Sequence, residues 1–121
     1  KAGLLAYSPL AAGYLTGKYR NNQTPKNSRM DLFYDNYPRY HNERTYKAVD
    51  EYFNIAKKHK ISLTQLSQAF VNSRDFVTSN IIGATTMGQL KENIDSINIS
   101  LNQKIIDEIN LIHENIPNPA P

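Results

Sequence analysis

Two short apolar runs, far apart in the chain and each cut off by small residues, set the strongest limit on its fold. The first is Leu4-Leu5-Ala6-Tyr7-Ser8-Pro9-Leu10, running on to Gly13 and Leu15-Thr16-Gly17-Lys18-Tyr19. The second is Ile81-Ile82-Gly83-Ala84-Thr85-Thr86, followed by Gln89-Leu90 and Glu92-Asn93. Each reads as a buried strand that stops at a turn and passes into polar or helix-starting residues. Stretches of helical period lie between them, so the strands are joined by a helical crossover and pair in parallel. Two parallel strands cannot stand by themselves, because their edges stay unpaired and one face stays bare. Something has to lie beside them, either further strands of the same polypeptide or another copy of the chain.

The rest of the chain fits around this pair. Gly3 to Tyr7 predicts the first strand, stopped at Ser8-Pro9 because proline disfavours helix before it and cannot extend a ladder. Residues 20–42, rich in Asn, Pro, Arg and Tyr, show no sustained period and read as a long lid or binding loop. From Glu43 onward, Val49, Tyr52, Phe53 and Ala56 recur at helical spacing. Lys57, Lys58, His59 and Lys60 close that helix at the negative end of its dipole. Ser62-Leu63-Thr64-Gln65 is a capping box for a second helix with Leu66, Ala69 and Phe70 inside. Phe76 to Ile82 predicts the second strand. Thr86-Met87-Gly88-Gln89 offers another capping box, opening a helix with the apolar stripe Leu90, Ile94 and Ile97. Asn102 caps a last helix, with Leu101 and Ile106 placed as a hydrophobic staple and Ile105, Ile109 and Ile112 as the buried stripe. Pro117, Pro119 and Pro121 prevent any continuation.

At 121 residues the chain holds one modest core. It falls short of the roughly 250 residues of a complete (β/α)₈ barrel. Residue 1 is Lys and a strand-like run follows almost at once, so we expect the carboxyl-terminal third of a longer polypeptide; a small free-standing domain is the alternative. The absence of cysteine excludes disulfides and thiolate metal sites and fits a reducing cytoplasm. The 14 Lys and Arg against 11 Asp and Glu leave a net charge of +3, which suits a phosphate-bearing ligand. Their dispersal argues against a nucleic-acid stripe. No apolar run approaches the about 18 residues of a membrane span.

Both motifs carry the means to hold an anion. A strand end that turns sharply at Ser8-Pro9-Leu10 can offer the Ser8 hydroxyl and the amides of Leu10 and Ala11; a plain Ser-Pro turn fits the same residues. Lys18 can supply a point charge to a diphosphate, or stand as a solvated loop lysine. Gly83 lets a ligand approach the backbone, and Thr85 adds a hydroxyl. The helix starting near Thr86 turns free N–H groups and the positive end of its dipole toward the same spot. Gln89 and Asn93, four residues apart, share a helix face with Glu92 beside them and can hydrogen-bond a ribose phosphate and an adenine edge; capping plus a polar face is the alternative. His41, His59 and His113 read as solvated or capping residues, with no second ligand in register for a metal. Phe33, Tyr34, Tyr37 and Tyr40 lie among Arg29, Arg39 and Arg44. A loop packing its aromatics on the protein body or a partner outweighs base stacking on nucleic acid.

Together, Ala6-Tyr7-Ser8-Pro9-Leu10 with Leu15-Thr16-Gly17-Lys18-Tyr19, and Ile82-Gly83-Ala84-Thr85-Thr86 with Gln89-Leu90 and Glu92-Asn93, resemble the aldo-keto reductases. The resemblance is to the bacterial branch related to potassium-channel β subunits and covers essentially the whole chain. It implies an α/β fold, part of a (β/α)₈ TIM barrel. Residues 1–121 would carry its last two parallel strands with their helices and the carboxyl-terminal helix, and 20–42 would be a long loop on the cofactor and substrate side. It also implies NADP(H) bound in extended form. Tyr7, Ser8, Pro9, Leu10, Ala11 and Ala12 would line the nicotinamide and diphosphate, with Tyr7 against the nicotinamide ring. Lys18 would meet the diphosphate, and Arg29 would come from the loop folding over the cofactor. Gly83 and Thr85 would hold the adenosine-side phosphate, and Gln89, Glu92 and Asn93 would flank the adenine. Many family members carry a basic residue where this chain has Gln89, which weakens the preference for NADP(H) over NAD(H); Thr85 and the helix dipole still favour a phosphate.

The family's catalytic tyrosine, lysine, aspartate and histidine come from earlier strands, so no catalytic residue and no metal is expected here. The implied parent is an oxidoreductase that reduces aldehydes or ketones by hydride transfer. Its partners would be a small carbonyl substrate and the remaining part of the barrel, with a homo-oligomer compatible and neither nucleic acid nor membrane involved. The segment alone would be inactive. Two other readings stay open: a non-enzymatic NADP(H)-binding regulatory subunit similar to channel β subunits, and a free-standing helical interaction module.

Overall fold

The computed structural model describes residues 2–121. Strands β1 (Leu4–Tyr7) and β2 (Val77–Ile81) pair in parallel as a two-stranded sheet. Five α-helices accompany them among the described residues: α1 (Arg29–Phe33), α2 (Glu43–Lys58), α3 (Leu63–Asn72), α4 (Met87–Asp95) and α5 (Gln103–Asn115). The crossover from β1 to β2 runs through α2 and α3, as parallel pairing requires. Past an irregularity between Leu4 and Leu5, the register sets Leu5 against Ser79, Ala6 against Asn80 and Tyr7 against Ile81. Both strands therefore end at the same edge of the sheet.

The predicted caps fix the helix starts. The Ser62 hydroxyl accepts from the Gln65 amide while the Gln65 side chain accepts from the Ser62 amide, a complete capping box. The Asn42 and Asn102 side chains accept from the amides of Thr45 and Ile105. The core then assembles from the inner stripes of three helices: Val49, Ile55 and Ala56 of α2, Leu63 and Leu66 of α3, and Ile105, Ile109 and Ile112 of α5. At the end of α2, Lys58 and His59 both reach Glu108 of α5, at 2.7 and 3.3 Å. The hydrogen bond from Lys58, with that of His59, holds the Glu108 carboxyl below the ordinary carboxylate range. The sheet is poorly covered by comparison. Leu5 is 60% and Tyr7 80% exposed, and Leu4 and Ile81 are about half exposed, as expected of a strand pair with nothing packed on one side.

Three expectations change. Residues 20–42 are not irregular throughout, for they contain α1 and short 3₁₀ turns at Arg20–Asn22, Tyr34–Asn36 and Pro38–Tyr40. Ser28 caps α1 by accepting from the Asp31 amide, and Met30 anchors it in the core, with its amide donating to the Tyr19 hydroxyl. The period was invisible because the helix spans little more than one turn. The stripe assigned to α4 also faces differently. Ile94 and Ile97 are 56% and 68% exposed, while Asn93 and Ser96 are buried. Hydrogen bonds offset the burial of that polar pair, and the two isoleucines border an open cleft beside β2. Finally, His41 is not solvated. Its ring stacks on Tyr34 with centroids 3.6 Å apart, and its Nε2 is buried without a partner.

The aromatic residues of this region organise around Tyr14, which is 4% exposed. Its ring lies 5.1 Å from Tyr19 and 5.2 Å from Tyr40, centroid to centroid. Burial, reinforced by the neighbouring Tyr46, Tyr34 and Tyr19, pushes its phenol well above the usual tyrosine range. A raised folded-state pKa gives stability that is fully present below the unfolded value of about 10 and is lost as pH rises from there toward the folded value. Thermal unfolding followed from pH 8 to 11 should show a midpoint that falls above about pH 10, and Tyr14→Phe should flatten that fall. An unchanged alkaline slope in the variant would remove Tyr14 from this role.

Candidate functional site

The register of the sheet brings the two sequence motifs together. Tyr7 lies opposite Ile81, so the turns beginning at Ser8 and Ile82 leave the same edge on neighbouring strands, about 4.8 Å apart in the pairing direction. Four residues of the first turn have positive φ, 57° at Ser8, 48° at Ala11, 56° at Ala12 and 101° at Gly13, while Leu10 between them stays at −106°. Such a φ in a residue with a β-carbon costs on the order of 1–3 kcal/mol, and strain of this kind gathers at ligand clamps. The Leu10 carbonyl secures the turn by accepting from the amides of Gly13 and Leu15. The Ala11 amide, assigned above to an anion, is instead committed to the Ser8 carbonyl at 3.0 Å, because the tight turn closes on itself there.

Lys18 returns to this turn. The Thr16 hydroxyl donates to the Gly13 carbonyl at 2.8 Å and accepts from the Lys18 amide, folding the chain back. A β-carbon placed on Gly13 would lie 3.0 Å from Lys18 Cε and 3.3 Å from its Nζ. Gly13 thus serves both the positive φ and the close pass of the lysine. The ammonium also sits 5.3 Å from the centre of the Tyr19 ring.

On the second strand, Gly83 is open, with nothing within 4 Å of where a β-carbon would stand. The Thr86 hydroxyl caps α4 by accepting from the Gln89 amide. The expected reciprocal bond is displaced by one residue, since Gln89 Oε1 accepts from the amide and hydroxyl of Thr85 rather than from Thr86. Gln89 therefore pins Thr85 at the mouth of α4, where the first amides of a helix lack intrahelical partners.

Three predicted residues are engaged elsewhere. Glu92 accepts from the hydroxyl of Ser62, the cap of α3. Asn93 is buried, donating to the Gly83 carbonyl at 3.1 Å and accepting from Gln68 at 3.2 Å, so it does not share the exposed face of Gln89. Arg29 packs on Tyr37, its guanidinium 5.7 Å from the ring centre and 3.4 Å from the hydroxyl. Arg39 bonds the Tyr40 hydroxyl, and Arg44 the Pro117 carbonyl, so the arginines of this region are tied into the fold. Two cavities lie off the strand tips: one of about 420 Å³ among Tyr14, Tyr34, Tyr46 and Asp50, the other of about 400 Å³ between β2 and α4. Among the described residues no cluster of histidines and carboxylates could hold a metal ion.

Residues 2–114 match the model of the aldo/keto reductase family. The chain belongs to that family. It is 45% identical over 118 residues to the protein tas of Escherichia coli K12, covering 98% of this chain and 34% of that protein. It is 35% identical over 121 residues to a probable voltage-gated potassium channel subunit beta of Oryza sativa subsp. japonica, covering 95% and 36%. Among solved structures, the glycerol dehydrogenase AKR11B4 of Gluconobacter oxydans superposes with a TM-score of 0.74 at 27% identity, over 99% of this chain and 36% of that one. The chain thus spans about a third of the length of these aldo/keto reductase relatives.

Within this aldo/keto reductase segment, sequence reasoning found the two turns, Lys18 and the helix mouth. It missed Gln68, which reads as one polar residue on an amphipathic helix and carries no local signal of its depth. Gly83 separates a structural cause from a ligand effect, because its surroundings leave room for a methyl group and its φ is not positive. Gly83→Ala should leave the unfolding free energy within about 0.5 kcal/mol of the parent, as at an unencumbered surface site. Chemical denaturation tests this, and a loss of several kcal/mol would mean that the turn is packed more tightly than described.

Proposed function

We propose that this chain is the cofactor-holding, carboxyl-terminal part of an NADP(H)-dependent aldo-keto reductase that reduces aldehydes or ketones. The observation that carries the reading is the parallel register that ends both strands side by side, with Lys18 folded onto Gly13 in the turn that follows β1 and the N-terminus of α4 in the segment that follows β2. The residues fit an extended dinucleotide. The backbone at Gly83 is open to approach, the Lys18 ammonium is folded onto the first turn, and Thr85 is pinned where the α4 amides emerge. Lys18 and the turn from Ser8 to Gly13 would hold the diphosphate, Gly83 and, once its amide and hydroxyl leave Gln89, Thr85 would hold the adenosine-side phosphate, and Tyr7 would lie against the nicotinamide. Arg29 would have to leave Tyr37 to close over the ligand. The bound cofactor supplies a hydride for a carbonyl carbon. This chain's own residues bind and orient it, and the acid that protonates the carbonyl oxygen belongs to earlier strands of a (β/α)₈ barrel. Those strands would cover Leu4, Leu5 and Ile81, so the segment alone would show no turnover.

A regulatory, non-enzymatic reading is favoured by one observation, the 35% identity to the rice protein named a probable channel subunit beta. The grip on the cofactor would be the same, and turnover of an aldehyde by the full-length protein separates the two. In the full-length protein, fluorescence titration should give tighter binding of NADPH than of NADH, and equal affinities would remove the adenosine-side phosphate from Gly83 and Thr85. Lys18→Ala should weaken NADPH binding by about tenfold or more, the loss of one charge-assisted contact. Gly83→Ala should weaken it by a similar factor while leaving stability intact.

A further inference from the structure

We propose that Gln68, in the middle of α3, is the positioning residue for the Gly83 turn, acting on it through Asn93. The inference rests on the dinucleotide reading only for its functional consequence; the relay itself stands on the geometry. Gln68 is 0% exposed and lies in a line of side-chain amides. Asn93 Nδ2 donates to the Gly83 carbonyl at 3.1 Å, Gln68 Nε2 donates to Asn93 Oδ1 at 3.2 Å, and Asn80 Nδ2 donates to Gln68 Oε1 at 2.7 Å and to Asn72 Oδ1 at 3.1 Å.

The polarity of this line follows from its end. A backbone carbonyl can only accept, so Asn93 must present its NH₂ group to Gly83 and its oxygen to Gln68. Gln68 must then present its NH₂ group to Asn93, which leaves its oxygen for the NH₂ group of Asn80. Every amide orientation from α3 to the turn is thus dictated, and none can flip without facing two oxygens or two NH₂ groups against each other. The Asn93 backbone is held as well, since the Ser96 hydroxyl donates to its carbonyl at 2.6 Å. What the line fixes is the direction of the Gly83 carbonyl, and through the planar peptide the direction of the next amide, at the place where a phosphate would sit. Gly83 has no side chain to lock its own conformation, and nothing packs within 4 Å of its β-carbon position. The remote glutamine supplies the restraint that local packing does not.

The test uses the full-length protein and the variants Gln68→Met, Asn93→Ala and their combination. Methionine keeps the length and most of the volume while removing both hydrogen bonds. Backbone amide hydrogen exchange, measured without ligand, should speed up about tenfold across residues 83–86 in each single variant and no further in the double variant, because both break the same line. Exchange in α5 should stay as in the parent. Additive effects in the double variant, or faster exchange spread over the whole protein with residues 83–86 not singled out, would overturn the proposal. Should Gln68→Met fail to fold, Asn80→Ala removes the bond that orients Gln68, together with the one to Asn72, and leaves the bonds from Gln68 to Asn93 and from Asn93 to Gly83 in place; it should loosen the same four residues, and no change there would count equally against the relay. NADPH affinity forms a separate arm. It should fall about tenfold in Gln68→Met, with no further fall on adding that change to Asn93→Ala. A parent protein that does not bind NADPH would sink the cofactor reading, while the exchange arm would still decide the role of Gln68.

Discussion

Parallel pairing of β1 with β2 is the constraint from which the rest follows. A parallel neighbour can be reached only by carrying the chain back along the sheet, and here α2 and α3 make that return. Their inner stripes, joined by α5, pack into the core, so the crossover that satisfies topology also supplies a large share of the buried apolar surface. The same pairing leaves the chain with a conflict it does not resolve internally. Leu4, Leu5 and Ile81 have the composition of a buried sheet and the exposure of a surface. A family whose relatives are about three times as long gives the missing cover a natural source.

Ending both strands at one edge has a second consequence, since it gathers backbone polar groups at a place where local geometry is already unusual. The turn from Ser8 to Gly13 takes positive φ at two alanines, and the molecule holds it there with backbone bonds to the Ser8 and Leu10 carbonyls and with Thr16 folding Lys18 back over Gly13. Across the sheet the Gly83 turn is held by the opposite means, with little packing and a line of buried amides behind it. One tip is stiffened by its own strain and the other by a remote glutamine. A site made from two independently fixed rims suits an extended ligand, whose ends are recognised separately and whose middle needs only room.

What could be read from the sequence follows how local each signal is. The caps at Ser62 and Asn102 and the stripe Ile105, Ile109 and Ile112 were legible because a helix start and an apolar period are contained in a few neighbouring residues. Both strands were legible for the same reason, as was their parallel sense. The inner face of α4 was not. Hydrophobicity pointed to Ile94 and Ile97, but burial went to Asn93, whose partners are Gln68 of α3 and the Gly83 carbonyl, and to Ser96 just past the helix, which donates to the Asn93 carbonyl. A polar residue that is buried because of a distant bond looks, in one dimension, like a solvated one. α1 was hidden by its shortness and His41 by its stacking on Tyr34, both of which depend on contacts made after the chain has folded. At the candidate site the division is similar: the Thr86 cap of α4 was legible from its own few residues, whereas Glu92 and Asn93 bond partners that no spacing rule reveals.

Under the cofactor reading, the segment separates gripping from chemistry. Binding groups that act alike on ground and transition states lower the concentration of ligand needed but do not by themselves speed a reaction. A segment that contains the grip and none of the acid–base machinery is therefore free of the demands that tune a catalytic pKa. That fits its titratable groups. The clear perturbations fall on Tyr14 in the core, on Tyr46 and Tyr52 of α2, on Arg39 against Tyr40, and on Glu108 in a clamp between helices. The same grip can serve a reductase, where earlier strands add an acid, or a subunit that only registers which nucleotide is bound. In both cases its quality depends on how firmly the two tips are held before the ligand arrives, since any ordering left to binding is subtracted from affinity. The amide line from Gln68 to Gly83 is where that preorganisation is written into this chain.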